Sequence, residues 1–434
     1  MRYSKRLLDM GIIAILCLSM VACAGGNLKE SEELNRPALP STETTIELMT
    51  TWGGVDSKAG TLKELLAKFE SENSTIKIKN QSIFGDDYLP TLKTRFASGN
   101  EPDVFGLWPG SDIKFLVKAN KVADLSDKLN QDKAWRDSFN QSSFMYTTYD
   151  GKIYGIPFEL VFEGLFINKD LFKKYRVKVP DNYVELKAAI EIFKSNGIIP
   201  IAYNSSAEGS YIYQNMIAGL GGRSGVVDCI KEGKINEYYI AAMEALKELY
   251  DMGAFPKDAL TLTSNERNEL FFTKQAAMIV QGSWFIPYFD KDDDSVEMIP
   301  FPAMTESSPK VPVGLGGGTF YISKGSWDTP TGEDSTIKLL KYLTSKEAAE
   351  FFYEKTALLS NLKIVQGTPY SVLAQQSINF YNNTSEEDLT SIPDHIIDRS
   401  AWNDIVIQQF PYFLEGKRSA EEIWSQAVAK MLQN

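Results

Sequence analysis

The sequence holds one histidine, His395, and three cysteines, Cys17, Cys23 and Cys229, among 434 residues. So thin a supply of imidazole and thiol argues against a His- or Cys-rich metal centre, and no metal or cofactor is expected. A His-dependent triad would have to use His395, and no Gly-x-Ser-x-Gly elbow accompanies it. His395 lies in a polar stretch with Asp394 and Asp398 and reads as a surface residue. Basic charge is short as well: 45 Lys and Arg face 57 Asp and Glu, a formal net charge of −12. Phosphate backbones demand the opposite balance, so nucleic acid is not an expected partner. The apolar run at residues 10–22 is too short for the ~20 residues that a bilayer-crossing helix needs.

That short run has the layout of an export signal. Arg2, Lys5 and Arg6 precede it, and it ends in Met20-Val21-Ala22-Cys23. The last four residues resemble a lipobox, whose cysteine is acylated and becomes the new N-terminus. Residues 1–22 are then a lipoprotein signal peptide, and residues 23–44 are the lipidated Cys23 with a Gly-, Ser-, Glu- and Pro-containing tether. The implied location is the outer face of the cell membrane. Cleavage removes three basic residues and one acidic residue, leaving a net charge of about −14. It also removes Cys17. With Cys23 lipidated, Cys229 has no disulfide partner and reads as a buried apolar residue.

Beyond residue 45 the pattern alternates strand and helix. Ile46 to Thr50 is a β-run, Leu62, Leu65, Leu66 and Phe69 share a helical face, and Ile76 and Ile78 alternate with lysines. Strand, helix, strand in this span is a βαβ unit, the building block of parallel sheets with ligand crevices at their strand ends. Further strands are expected at 102–108, 198–202, 276–280 and 320–322. Helices are expected at 183–195, capped by Asn182 and stopped at Asn196-Gly197, at 238–252, and twice within 336–355 with Ser345 as a cap between them. Residues 402–432 read as helical, broken around Pro411 and Gly416. A chain of this length suggests two lobes.

Several segments then carry a resemblance. Gly151 to Glu159 followed by Leu165 to Phe172, the Pro102-Asp103-Val104 strand, Phe271 to Met278 with Gly282-Ser283-Trp284, Gly314 to Lys324, and Phe413 to Lys417 with Ala420-Glu421-Glu422 occur in the order found in extracellular solute-binding proteins of ABC importers. The chain is similar to the sugar-type, maltose-binding-protein-like members. The resemblance implies an α/β, two-lobed periplasmic-binding-protein-like fold of class II, with a ligand cleft between discontinuous lobes. The expected lobes are 45–157 with 302–356, and 158–301 with 357–434, with chain crossings near Pro157-Phe158 and between Pro300 and Pro312. Implied partners are a carbohydrate ligand, ABC permease subunits with a separate ATPase, and the membrane through the lipid anchor. A monomer is expected, and binding rather than catalysis.

A sugar offers apolar C–H faces and rings of hydroxyls, so its site needs aromatic platforms beside carboxylates and amides. Trp52, Trp108, Tyr211, Tyr213 and Trp284 all follow predicted strands. By family position Trp284 matches a stacking aromatic, Trp108 and Tyr211 lie near others, and Glu159 sits at the crossover. Asp87, Asp112 and Asn204 are further candidates. Gly316, Gly317 and Gly318 either let backbone approach a ligand or form a turn; Gly317 stands for them as a candidate. Three alternatives remain: the same fold binding another solute such as a polyamine, a secreted glycosidase using a carboxylate pair, or an adhesin or signalling lipoprotein that kept the fold and lost transport. An anionic ligand would call for clustered arginine, and Arg95 and Arg267 form no cluster in the sequence. Asp290 to Asp294 alternates acids, but Ser295 occupies the position a calcium loop reserves for glycine, so it reads as a solvated turn.

Overall fold

A computed structural model describes residues 43–363 and 367–433; the signal peptide, Cys23 and nearly all of the tether lie outside these residues. Two sheets organise the described chain. In the first, Thr44–Met49 pairs in parallel with Ile76–Asn80 and with Val104–Gly106, and Thr319–Ile322 runs antiparallel between Val104–Gly106 and Gly155–Pro157. Helix Ala59–Glu72 joins the first two strands and buries Leu62, Leu65, Leu66 and Phe69, completing the βαβ unit. In the second sheet the long strand Glu159–Asn168 pairs antiparallel with Ala276–Gly282, Val296–Ile299, Val311–Leu315 and Leu359–Ser360. Ile199–Ala202 and Leu389–Ser391 extend it in parallel register.

The central strands of both sheets are buried on both faces, as strands flanked by helices on each side must be, while the edge strand Ile76–Asn80 is largely exposed. Strand alternation does the sorting. In the first sheet Ile46, Leu48, Phe320 and Ile322 face one apolar cluster, while Met49, Phe105 and Tyr321 face another. In the second, Leu165, Ile167, Met278 and Val280 point one way, and Phe162, Phe166 and Ile279 the other. These are the two lobes of a class II binding-protein fold.

The chain changes sheet between Pro157 and Glu159, and again at 316–318. The second change lies beyond the expected 300–312 interval. Val311–Leu315 still pairs with Leu160, Val161 and Phe162 of the second sheet, so the prolines at 300 and 312 precede the crossing and do not make it. Leu359–Ser360 brings the chain back a third time. At the C-terminal end Pro411 does not break the helix as expected. A wide π-type turn at Trp402–Ile407 runs directly into Gln408–Leu414, which contains the proline. The break falls at Gly416, with φ of 73°, ahead of Ala420–Met431. No helix among the described residues is long and apolar enough to cross a membrane.

Candidate functional site

A cleft of about 900 Å³ opens where the sheet changes occur, lined by residues of both lobes. From the first lobe, the turn after Thr44–Met49 supplies Trp52, and the loop after Val104–Gly106 supplies Trp108. From the second, the turn after Ala276–Gly282 supplies Trp284, and the start of helix Tyr211–Val227 supplies Tyr211. Side chains at these positions project past the ends of their sheets, where backbone groups no longer pair and a ligand can enter.

Trp284 and Tyr211 form one platform: their rings meet edge to face at 5.3 Å, and the Trp284 indole N–H donates to Gln281 Oε1 at 3.1 Å. That bond fixes the indole and leaves it half-buried. Trp52 is different. It is 1% exposed and wedged between Phe320 and Phe352, so most of its ring belongs to the first lobe's core. Trp108 packs edge to face on Tyr88 and lies under the Arg399 guanidinium, 5.9 Å from its centroid.

Glu159 stands at the first crossing and is 4% exposed. Its Oε1 is 3.3 Å from Lys58 Nζ, and its Oε2 accepts from the Gly318 N–H at 3.0 Å. Burial opposes the charge of Lys58, but Glu159 and Asp56 outweigh it and raise the lysine pKa. Here the three glycines find their reason. A methyl group on Gly316 would overlap Glu159 Oε2, one on Gly317 would overlap Thr51, and one on Gly318 would overlap the Trp52 ring. The second crossing is thin because protein side chains press on it, and Gly317 also faces the cleft.

Three expected site residues lie elsewhere. Asp87 is exposed and outside the cleft wall: Tyr88 beside it takes the buried seat, donating to the carbonyls of Met49 and Gly106, while Phe84, Gly85 and Leu89 reach the cleft. Asp112 is buried beneath the wall, accepting from Arg399 Nε at 3.1 and 3.0 Å and from Nη2 at 2.6 Å. Asn204 is fully buried; it donates to the Leu262 carbonyl and accepts from Arg267, itself paired with Glu208. Tyr213 is also internal, its hydroxyl donating to the Tyr239 carbonyl. His395 is not on the surface: it is 8% exposed, packs against Gly314 and lines the cleft. Burial holds its pKa below the ordinary value despite the Asp394 charge. Cys229 is half-buried.

Sequence reasoning missed Glu163, Asp394 and Arg399. Glu163 is fully buried on the long strand, with Oε2 accepting from Asn215 Nδ2 at 2.8 Å and no protein partner for Oε1. Burial first, then the Asp394 charge, raises its pKa well above the ordinary carboxyl value. Asp394 Oδ2 accepts from Arg399 Nη1 at 2.8 Å, while its Oδ1 and His395 Nδ1 lack hydrogen-bond partners. Buried polar atoms are nearly always satisfied, so these three are capacity left for water or a ligand. Among the described residues, no group of three His, Cys, Asp or Glu side chains is placed to hold a metal ion. The arrangement can therefore stack, accept and donate; its aromatic faces and unpaired polar atoms suit a polyhydroxylated guest.

The profile of the bacterial extracellular solute-binding protein family matches residues 55–350. A multiple sugar-binding protein of Streptococcus mutans is 25% identical over 385 residues, 86% of this chain and 84% of the relative. The maltodextrin-binding protein of Bacillus subtilis is 24% identical over 352 residues, 79% of this chain and 77% of the relative. A structure solved in work on xylan utilization by Caldanaerobius polysaccharolyticus superposes with a TM-score of 0.78 at 26% identity, covering 89% of this chain and 99% of that one. A chitin oligosaccharide binding protein shares the fold, with a TM-score of 0.78 at 21% identity over 90% and 98% of the two chains.

Proposed function

The chain belongs to the bacterial extracellular solute-binding protein family, and from that premise we propose that it captures an oligosaccharide outside the cell and delivers it to an ABC permease pair driven by a separate ATPase. The observation that carries the reading is that half-buried aromatic rings of both lobes, Trp108 from one and Trp284 with Tyr211 from the other, line one cleft edged with unpaired polar atoms. Stacking surfaces on both walls suit a chain of sugar rings, and relatives that bind multiple sugars and maltodextrin support it. Lobe boundaries follow the sheet changes at 158, 316–318 and 357–358. Closure about those crossings is a hinge motion whose product the permease reads. Acyl chains on Cys23 hold the receptor beside the permease and raise its local concentration.

Thermal unfolding of the purified protein against oligosaccharides, polyamines and amino acids tests this. A sugar at 100 times its Kd should add about 2.7 kcal/mol, several degrees in Tm, and Trp284→Ala should abolish the shift. A shift with polyamines alone would replace the substrate class; consumption of the sugar on incubation would replace binding with hydrolysis.

A further inference from the structure

Seven carboxyl groups line the cleft against two lysines, one arginine and one histidine. Of the two lysines and the arginine, Lys58 and Arg399 are already paired with carboxylates. Lys58 lies against Glu159 and Asp56, at 3.3 and 3.9 Å. Lys93 is exposed, with its ammonium over the Phe115 ring. Arg399, the cleft's one guanidinium among the described residues, gives Nε and Nη2 to Asp112 and Nη1 to Asp394. That trio carries a net charge of −1. His395 sits beside it with a lowered pKa and adds no positive charge at neutral pH. Glu163 lines the same cleft, fully buried, with one oxygen lacking a hydrogen-bond partner.

We propose that Asp394 filters the cleft's cargo by charge: it takes Nη1 of Arg399, the guanidinium that Asp112 already pairs, and so bars sugars bearing a carboxylate or phosphate, leaving the site to uncharged sugar units. The inference rests on the sugar-receptor reading and narrows its substrate class. An arginine fork is the usual device for gripping an anion, because its paired N–H groups match two oxygens at once. Here two carboxylates of the protein already share the guanidinium, Asp112 at Nε and Nη2 and Asp394 at Nη1. An incoming anion would have to displace Asp394 from Nη1, or lie beside it in a site where little water screens the repulsion. A hydroxyl meets no such penalty. It can donate to Asp394 Oδ1 or pair with the Glu163 carboxyl at Oε1, atoms without a hydrogen-bond partner.

The alternative role for Asp394 is a brace that orients Arg399 over Trp108. A brace affects every ligand alike, whereas a filter changes the ratio between charged and uncharged ones. Isothermal titration with xylotetraose, raffinose and maltotriose, each beside its mono-uronate and the matching mono-uronamide, separates the two. The uronamide keeps the shape of the uronate and removes its charge. Whichever neutral sugar binds, its uronate should bind at least tenfold more weakly, and its uronamide should recover most of the loss. Asp394→Asn should shrink the uronate-to-neutral gap at least fivefold. A uronate that binds as tightly as the neutral sugar overturns the proposal, as does an unchanged gap in Asp394→Asn. If that variant fails to fold, the uronate and uronamide comparison on the wild-type protein decides alone. If no sugar of either kind binds, the receptor reading has failed first and takes this one with it.

Discussion

Glu163 illustrates how burial sets the chemistry of one residue. Its carboxyl is sealed from solvent with the Asp394 charge nearby, so the folded protein holds its proton more tightly than the unfolded chain does. The stabilisation from that proton is complete below the ordinary value of 4.5 and is lost as pH rises towards the folded value. Glu163→Gln, neutral at every pH, should therefore melt above the wild type at pH 7 to 8, and the gap should close towards pH 4. Melts of ligand-free protein across that range check it; a gap independent of pH would mean Glu163 is ionised in the native state. Gly318→Ala is a steric counterpart. Its new methyl would press on the Trp52 ring and on Glu159 Cβ, and overpacking of this kind costs about 1–3 kcal/mol, readable as a lower urea midpoint with unchanged slope. The cleft aromatics were legible because a tryptophan or tyrosine after a strand end is a local pattern. Asp112 and Arg399 were not: their bond spans 287 positions, and nothing near either residue marks the other. Glu163 was hidden by its setting in an apolar strand, where a carboxylate looks like an outward-facing residue until both faces prove covered.

Elements follow local rules that the sequence states openly. Asn182 caps Tyr183–Ser195 by accepting from the Glu185 N–H, Ser345 caps Lys346–Thr356 through Ala348, and Thr263 and Ser419 each form a reciprocal capping box. A cap replaces the hydrogen bond that a helix's first N–H groups lack, so Ser419→Ala should cost about 1 kcal/mol, seen as a drop in Tm without loss of sugar response. An unchanged Tm would show that the C-terminal helix is held by packing of Ile423, Trp424 and Ala427 alone. The strands were similarly legible, since alternation and continuous apolar runs mark half-buried and buried positions. The sheet change at 316–318 was not. Prolines are conspicuous in sequence, but the register of Val311–Leu315 against residues 160–162 is a tertiary fact, and it carries the strand past them. The unbroken path through Pro411 has the same origin: a π-type turn just before it alters the bonding that an interior proline would otherwise disrupt.

At the scale of the whole molecule, Asp112 and Arg399 join the lobes. Asp112 begins helix Ser111–Lys118, which packs Ile113 and Leu116 on the first sheet's cluster, whereas Arg399 is flanked by Ile397, Ala401 and Trp402 of the second sheet's cluster. The Ser111 hydroxyl donates to the Ile397 carbonyl at 3.1 Å in the same place. Burial opposes the charge on Arg399, but the two carboxylates outweigh it and raise its pKa. An ion pair that spans two hinged bodies biases their opening. Without it, a larger share of the free protein is open, and a ligand must supply the closing free energy from its own contacts. Asp112→Asn keeps the side chain's shape and removes its charge. Small-angle scattering should then find a larger radius of gyration than wild type without sugar, returning to the wild-type value at saturation. The sugar Kd should rise by about tenfold, equivalent to roughly 1.4 kcal/mol of closing free energy transferred to the ligand. Should the radius of gyration and Kd both match wild type while Tm falls, the pair supports the fold without governing the hinge, and the crossings at Glu159 and Gly316–Gly318 alone set how far the cleft opens.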